Sequence, residues 1–328
     1  MKFRKIEFVL LAVVILTLVL YLVLRSGGDP ARGLPQPAAS DSGGIDRLVV
    51  AKGNEPPMTL EKRGERWFVG PRAYPADRAA VNNMVKAAAD LTLTALVSES
   101  RSYERYGLTP EERITVQAFQ GDARVRDFVI GKPAPTQQHT FVLLADDPNV
   151  YHARGQIVRT FDRTVASLRD RTVFDFDRDR VHTIALSRAD ATSVLQLQPV
   201  DDGTTSEDRN DPGVGGGPPV HKAWQDAQGR TVDQEAVTRL LEGMARLQCD
   251  SYLDDAAVER LVAPRWQITF ESPDGNFTLM VFASDAEPQL SEDKVPAMAS
   301  TNDYAFALDA TRVEQYETAL DALLAGDQ

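Results

Sequence analysis

The residue types that most often carry metal and nucleophilic chemistry are few and scattered in this chain of 328 residues. The four histidines are widely separated and no His-Glu-x-x-His motif occurs, so the sequence contains no local zinc motif. Cys249 is the only cysteine, and no internal disulfide can form. It follows an apolar helical pattern, where a thiol is expected to be buried and inert. The sequence therefore predicts neither a metal site nor a catalytic cysteine.

A glycine-lysine pair after a predicted strand invites comparison with a phosphate-binding loop. In Gly131-Lys132, however, Arg126 stands where that loop needs its first glycine, and Pro133 replaces the Ser or Thr. The Gly-x-Ser-x-Gly elbow of serine hydrolases is also absent. A carboxylate pair for glycan hydrolysis is formed in space rather than in sequence, and 48 Asp and Glu residues keep that alternative open.

An acidic stretch, Asp175 to Asp179, begins like a calcium-binding loop. An EF-hand needs glycine next and glutamate at its twelfth position, where this chain has Arg180 and Leu186. Because the acidic residues alternate with arginines, a salt-bridged linker explains the stretch better. We expect a non-enzymatic protein without catalytic residues, metal or cofactor.

The elements that position these residues begin with an apolar run, Ile6 to Leu24. As a helix it would measure about 28 Å, close to the hydrocarbon thickness of a bilayer. No Ala-x-Ala cleavage site follows it, which favours a retained transmembrane anchor over a signal peptide. Lys2, Arg4 and Lys5 precede the run and predict an amino terminus inside the cell. We expect a single-pass protein of the inner (cytoplasmic) membrane with most of its chain in the periplasm.

Composition separates the membrane segment from the folded part. Residues 1–25 form the predicted cytoplasmic stub and anchor, and residues 26–44 are rich in Gly, Pro, Ala, Ser and Asp, which predicts a flexible tether. The formal net charge of the chain is −12. An acidic surface repels phosphate backbones, so a nucleic-acid partner is not expected.

An internal repeat organises the rest of the chain into residues 45–174 and 175–328. Two helical patterns align without a gap at an offset of 156, and each places its apolar residues on one helix face. Asp77 and Asp233 precede these helices as predicted caps. Trp67 and Trp224 hold matching strand positions, where core packing is favoured over ligand stacking. The second copy carries a polar loop insertion at 201–219.

Each copy is predicted to close with another helix, and the two patterns match at an offset of 155. The final helix opens with Thr311-Arg312-Val313-Glu314, a capping-box pattern. We predict an α+β fold with two tandem copies of a mixed, largely antiparallel sheet-plus-helices module, preceded by one transmembrane helix. The aligned apolar residues of the closing helices are Val158, Phe161, Val165, Leu168 and Val313, Tyr316, Leu320, Leu323.

Seven short stretches carry a resemblance to a known family. They are Trp67-Phe68-Val69, Tyr74-Pro75-Ala76-Asp77, Tyr106-Gly107-Leu108, Val129-Ile130-Gly131-Lys132, Val150-Tyr151, Leu168-Arg169-Asp170-Arg171 and Phe174-Asp175-Phe176-Asp177. In these stretches the chain resembles the bacterial domain-of-unknown-function family 4340. The second copy departs from the pattern, since Thr231-Val232-Asp233 replaces Pro-Ala-Asp.

The resemblance implies an envelope protein that works with a membrane transporter. Family members look like accessory proteins encoded beside ABC-type transport components related to gliding-motility systems. The implied partners are ABC permease or auxiliary membrane components, in addition to the lipid bilayer at Ile6–Leu24. The resemblance assigns no catalytic residue.

Three functions remain as hypotheses. The first is a membrane-anchored, non-catalytic periplasmic accessory subunit of an ABC-type transport system, acting as scaffold or regulator. The second is a module that binds an envelope polymer or substrate in a groove between the copies, and the third is a carboxylate-dependent envelope hydrolase. Arg169, Asp170 and Arg171 are candidate partner contacts, although local pairing at a helix end explains them equally well.

Overall fold

A computed structural model describes residues 13–21, 33–35, 41–189, 191–200 and 221–325. The chain divides into two compact units, Met1–Asp170 and Arg171–Gln328, here called the first and second modules. Residues 171–174, which the sequence places with the first copy, belong to the second. The reason is backbone pairing, because the N–H groups of Val173 and Phe174 both donate to the carbonyl of Leu247.

Part of the predicted anchor is described. Residues 13–21 are helical and exposed, and this helix is α1. The other residues of the predicted anchor Ile6–Leu24 lie outside the described residues, as do most of the predicted tether and the whole insertion 201–219. Within the described ranges, no helix combines the length and apolar composition needed to span a membrane.

The first module is a nine-stranded sheet with helices, in the hydrogen-bonded order β4-β3-β2-β1-β6-β7-β8-β9-β5. Every pair of neighbouring strands is antiparallel. Short 3-10 turns occupy Ser42–Gly44 and Tyr103–Tyr106. The elements are β1 (Arg47–Lys52), β2 (Met58–Arg63), β3 (Arg66–Val69), β4 (Tyr74–Pro75), α2 (Arg78–Ala89), β5 (Leu93–Ser98), β6 (Ile114–Gln120), β7 (Ala123–Pro133), β8 (His139–Leu144), β9 (Asp147–Arg154), α3 (Val158–Phe161) and α4 (Val165–Leu168).

The second module is an eight-stranded sheet in the order β12-β11-β10-β14-β15-β16-β17-β13, and it is also antiparallel at every pair. Its 3-10 turns are Arg178–Arg180 and Ser284–Ala286. The elements are β10 (Thr183–Arg188), β11 (Ala191–Val200), β12 (His221–Gln225), α5 (Gln234–Met244), β13 (Ser251–Tyr252), α6 (Ala257–Arg260), β14 (Trp266–Ser272), β15 (Gly275–Val281), β16 (Lys294–Ala299), β17 (Phe306–Asp309) and α7 (Ala310–Leu324).

Apart from β4, the two sheets have the same strand order, element by element. One backbone hydrogen bond illustrates the equivalence. The N–H of Ala76 donates to the carbonyl of Trp67 at 2.9 Å, and the N–H of Val232 donates to that of Trp224 at 3.1 Å. Two antiparallel sheet modules with a few helices confirm the α+β class predicted from the sequence.

Alternating burial along the strands places one large core in each module. In β14, Trp266, Ile268 and Phe270 are buried while their neighbours are partly exposed, as a strand with one face on a core requires. Helices α2 and α5 each pack one apolar face into their module's core. Asp77 caps α2 by accepting from the N–H of Ala80 at 2.8 Å. Asp233 caps α5, as its spacing predicts.

The closing helices differ from the prediction. The first module has two four-residue helices, α3 and α4, instead of one, because Thr164 and Ser167 form a capping box that starts a new helix. In the second module the predicted capping box at Thr311–Glu314 is wrong. Helix α7 begins earlier, and the side chain of Asp309 accepts from the N–H groups of Thr311 and Arg312.

Candidate functional site

The candidate partner contacts Arg169, Asp170 and Arg171 do not share one environment. Arg169 is buried, and its guanidinium carbon lies 3.8 Å from the centroid of the Tyr74 ring. Asp170 is half-buried, and its N–H donates to the carbonyl of Pro75. Arg171 is exposed, and its carbonyl accepts a hydrogen bond from the N–H of Cys249 in the second module. Of the three residues, Arg171 is the most exposed.

The stretch Tyr74–Asp77 meets the stretch Leu168–Asp170 in the first module. Ala76 and Arg169 form an antiparallel bridge. The N–H of Asp77 donates to the carbonyl of Leu168 at 2.8 Å. Together with the stacking of Arg169 on Tyr74, these contacts hold the start of α2 against the end of α4. The two stretches thus have a structural role.

A second pair of stretches meets around Gly131 of β7. A Cβ atom on this residue would lie 2.2 Å from the carbonyl oxygen of Tyr106 and 2.8 Å from Cγ of Leu108. Gly107, between them, has a φ of 64°, a left-handed conformation that glycine adopts without strain. The chain segment after the 3-10 turn therefore packs directly on the strand because both positions lack a side chain.

Two histidines that are distant in sequence are brought together by the β8–β9 hairpin. The rings of His139 and His152 stack with centroids 5.3 Å apart, and the Phe141 ring lies 5.0 Å from that of His152. Burial, and then the nearby His139, lower the pKa of His152 below its ordinary value. Within the described residues, no group of three or more His, Cys, Asp or Glu is placed to hold a metal ion.

The landmark tryptophans lie in the two cores. Trp67 is 5% exposed and Trp224 is 7% exposed. The backbone of Trp224 is further fixed by Gln234, whose side chain accepts from its N–H and donates to its carbonyl. Neither ring is available for stacking on a ligand.

A groove of about 620 Å³ lies between helices α5 and α7 of the second module. Leu240, Leu247 and Tyr316 are buried beneath it. Its rim carries three arginines, and we call it the arginine groove after them. These arginines are Arg239, Arg246 and Arg312.

Helix geometry explains how the groove is built. Arg239 lies on α5, whereas Arg246 lies in the turn that follows the end of this helix at Met244, and both line the groove. Gly243 lies between them and allows the close approach of α7, because a Cβ atom there would lie 2.7 Å from Cε1 of Tyr316. The Tyr316 hydroxyl donates to the carbonyl of Gly243 at 2.9 Å and joins the two helices.

The charges around the groove are unevenly paired. Glu242 lies in the lining, but its carboxylate is 2.5 Å from the guanidinium of Arg178. Arg312 donates to the carbonyl of Gln248 at 2.8 Å and also lies 3.8 Å from the carboxylate of Asp250. Neither Arg239 nor Arg246 forms an ion pair within the described part of the chain, so the groove keeps an excess of positive charge.

The groove residues suit binding better than catalysis. Burial raises the pKa of Tyr316, while Arg312 opposes the shift, so this phenol stays protonated near neutral pH. The hydroxyl of Thr318 donates to the carbonyl of Glu314 in its own helix. Guanidinium groups remain charged in proteins and do not act as bases near neutral pH, but they bind carboxylates and phosphates well.

Comparison with known proteins identifies the family. The family model described as "Domain of unknown function (DUF4340)" matches residues 67–264. The chain belongs to the DUF4340 family. The match runs from β3 of the first module to the segment before β14 of the second, and it includes α5 but not α7. No curated protein and no solved structure matches the chain.

Sequence reasoning missed the arginine groove of this DUF4340 protein because its residues come from two helices that are distant in the chain. A signal was present in the internal repeat, where aligned positions of the two copies can be compared. The arginines of the second copy replace residues of quite different chemistry in the first. The aligned pairs are Asn83 and Arg239, Asp90 and Arg246, and Ile157 and Arg312.

Proposed function

We propose that this DUF4340 protein is a membrane-anchored, non-catalytic periplasmic accessory subunit of an ABC-type transport system, where it acts as scaffold or regulator. The observation that carries the proposal is the apolar run Ile6–Leu24 behind a basic amino terminus, ahead of two folded modules. Such a chain is suited to holding its modules near a membrane partner. The link to ABC-type transport comes from what the family resemblance implies.

The roles of the family stretches support a non-catalytic function. Tyr74–Asp77 pairs with Leu168–Asp170, and Gly131 packs on the segment 106–108, so these residues are engaged in holding the first module together. A hydrolase of the paired-carboxylate type needs a carboxylic acid with a raised pKa. Among the described carboxylates, the three with a clearly shifted pKa are Asp226, Asp293 and Asp309, and in each case hydrogen bonds to the carboxylate outweigh the effect of burial and lower it.

A mild-detergent pull-down tests the proposal. The tagged full-length protein, a form lacking residues 1–25, and a form with an unrelated transmembrane helix in place of residues 6–24 would be compared. We expect the full-length protein to retain ABC permease or auxiliary components, identified by mass spectrometry. If the unrelated helix restores retention, the anchor serves as a tether, and if it does not, the anchor itself contacts the partner. Absence of such components from all three samples contradicts the proposal.

Orientation has its own test. A carboxyl-terminal alkaline phosphatase fusion is active only when it is exported to an oxidising compartment. We expect activity from the full-length fusion in a Gram-negative host. The matched control replaces Lys2, Arg4 and Lys5 with glutamine, which removes the basic excess and should reduce the exported fraction. An inactive full-length fusion would place the modules inside the cell.

A further inference from the structure

We infer that the arginine groove binds an acidic helical segment of a partner protein. The inference stands on the geometry of the second module and does not depend on the proposed link to ABC transport. Its first support is charge. Arg239 and Arg246 form no ion pair within the described residues, while the chain as a whole carries −12. A positive groove on an acidic protein attracts an acidic partner segment and orients it.

The chemistry of the rim favours carboxylates. A guanidinium group forms two parallel hydrogen bonds with one carboxylate, which adds geometric specificity to the attraction. Glu242 does not compete for Arg246, because Arg178 already pairs with it at 2.5 Å. Arg312 donates to the carbonyl of Gln248 and lies 3.8 Å from the carboxylate of Asp250, and its side chain remains 37% exposed. Arg239 and Arg246 thus provide the main donors of the groove, and Arg312 lies beside them.

The shape of the groove favours a helix. Its two walls are themselves helices, and a third helix can pack into the depression between two packed helices. Arg239 lies on α5 and Arg246 lies in the turn after the end of α5, so the two guanidinium groups follow one another along one wall of the groove. Acidic side chains two turns apart share one face of a partner helix and can each meet one of these arginines. The aliphatic stems of the arginines, above the buried Leu240 and Tyr316, provide the apolar contact that an amphipathic helix requires.

The first module serves as an internal comparison. It has the same sheet order, but asparagine, aspartate and isoleucine stand at the positions aligned with the three arginines. Its closing helix is also broken into α3 and α4. The groove is therefore a property of the second module and not a requirement of the fold.

The probe for the test is a fluorescein-labelled synthetic helix of about 20 residues, with glutamates seven residues apart beside a leucine face. A second peptide carries glutamine at each glutamate position. Binding to the full-length protein in detergent would be measured by fluorescence anisotropy at two salt concentrations. We expect the glutamate peptide to bind about tenfold more tightly than the glutamine peptide, and less tightly at high salt.

Paired variants locate the binding site. Arg239→Gln with Arg246→Gln should weaken binding of the glutamate peptide about fivefold to tenfold, as expected for two partly exposed ion pairs. The control, Arg78→Gln with Arg159→Gln, makes the same charge change on helices of the first module and should alter binding less than about twofold. Hydrogen exchange should show new protection in α5 and α7 when the peptide binds.

Several outcomes would overturn the inference. These are no binding of the glutamate peptide, equal binding of both peptides, or equal weakening by both double variants. Polyphosphate and vesicles containing phosphatidylglycerol would be assayed in parallel. Tighter, groove-dependent binding of either one would assign the arginines to phosphate-bearing ligands and overturn the protein-partner inference. If the glutamine variant loses its circular dichroism signal, the double variant Arg239→Lys with Arg246→Lys would be assayed in its place. Lysine keeps the positive charge but cannot form bidentate hydrogen bonds, so this variant should bind the glutamate peptide weakly.

Discussion

Apart from β4, the two modules have the same strand order, but their closing helices differ. The first closes with two four-residue helices, whereas the second closes with the 15-residue helix α7. The sheet order and the helices α2 and α5 are common to both, so they form the invariant part of the architecture. The closing helix is the variable part, and in the second module its added length provides one wall of the arginine groove.

One pair of equivalent positions shows how the outer faces of the two sheets differ. Val116 pairs with Phe128 as Ile268 pairs with Leu279, so Gly131 and Phe282 hold matching places. In the first module the absent side chain lets the backbone after the 3-10 turn pack on β7. In the second, Phe282 is buried in a small cluster that includes residues of α6 and fills the corresponding space itself. The same surface is thus covered by main chain in one module and by an aromatic ring in the other.

The largest expected effect tests whether the cores of the two modules are independent. Trp67→Ala should lower the free energy of unfolding of the first module by about 3–5 kcal/mol, because it removes a large buried side chain. Hydrogen exchange read by mass spectrometry should show faster exchange in residues 41–170. Trp224→Ala is the matched variant and should speed exchange in the second module. Equal loss of protection in both modules from either variant would contradict the separation of the cores.

The outer-face comparison predicts a smaller effect. Gly131→Ala would place Cβ 2.2 Å from the Tyr106 carbonyl and force the backbone apart, at a cost of about 1–3 kcal/mol. Urea denaturation of the full-length protein in detergent would measure it. Lys132→Ala, at the exposed neighbouring position, should leave the midpoint nearly unchanged. An unchanged midpoint for Gly131→Ala would show that the contact is not a tight one.

The helix caps give a finer test of equivalence. Asp233 accepts from the N–H groups of Glu235 and Ala236, whereas Asp77 accepts from that of Ala80. Asp233→Ala should cost about 1–2 kcal/mol and Asp77→Ala about 1 kcal/mol, measured by thermal unfolding. Asparagine at either position keeps an accepting oxygen and should recover most of the loss. A larger effect at Asp77 would reverse the expected order.

The smallest effect depends on pH and belongs to the first module. Because the folded state lowers the pKa of His152 below its ordinary value of 6.5, the unfolded chain binds a proton more readily than the folded chain does. The contribution of this histidine to the free energy of unfolding is therefore fully present above pH 6.5 and is lost as the pH falls. His152→Gln should flatten this dependence between pH 7 and pH 5, measured by urea midpoints. His182→Gln, at an exposed position of the second module, is the control. An unchanged slope in His152→Gln would assign the pH dependence to other groups.

Much of the fold could be predicted from the sequence because its signals are local. The alternation of apolar residues indicated strands such as β6 and β14, and the spacing of apolar residues placed the buried faces of α2 and α5 correctly. The cap assignments at Asp77 and Asp233 rest on the same kind of short-range pattern. The closing helices were harder, because a helix break at Thr164 depends on hydrogen bonds that compete with continuation of the helix.

The candidate site could not be predicted in the same way. Arg239 and Arg312 are distant in sequence and belong to different helices, and His139 meets His152 only through the pairing of β8 with β9. Arg169, which looks like a surface charge in sequence, is buried on Tyr74. Such placements depend on which elements pack together, and no local pattern encodes them.

The sequence by itself determined the two sheet modules, their principal helices, the family membership and the apolar amino-terminal run. Each follows from periodicity, composition or short motifs, which act over a few residues. Only the tertiary structure decided that the second module has a positive groove and that the family stretches brace the first module. The physical reason is that a strand or helix face forms through local preferences, whereas a groove exists only where two distant elements leave a space between them.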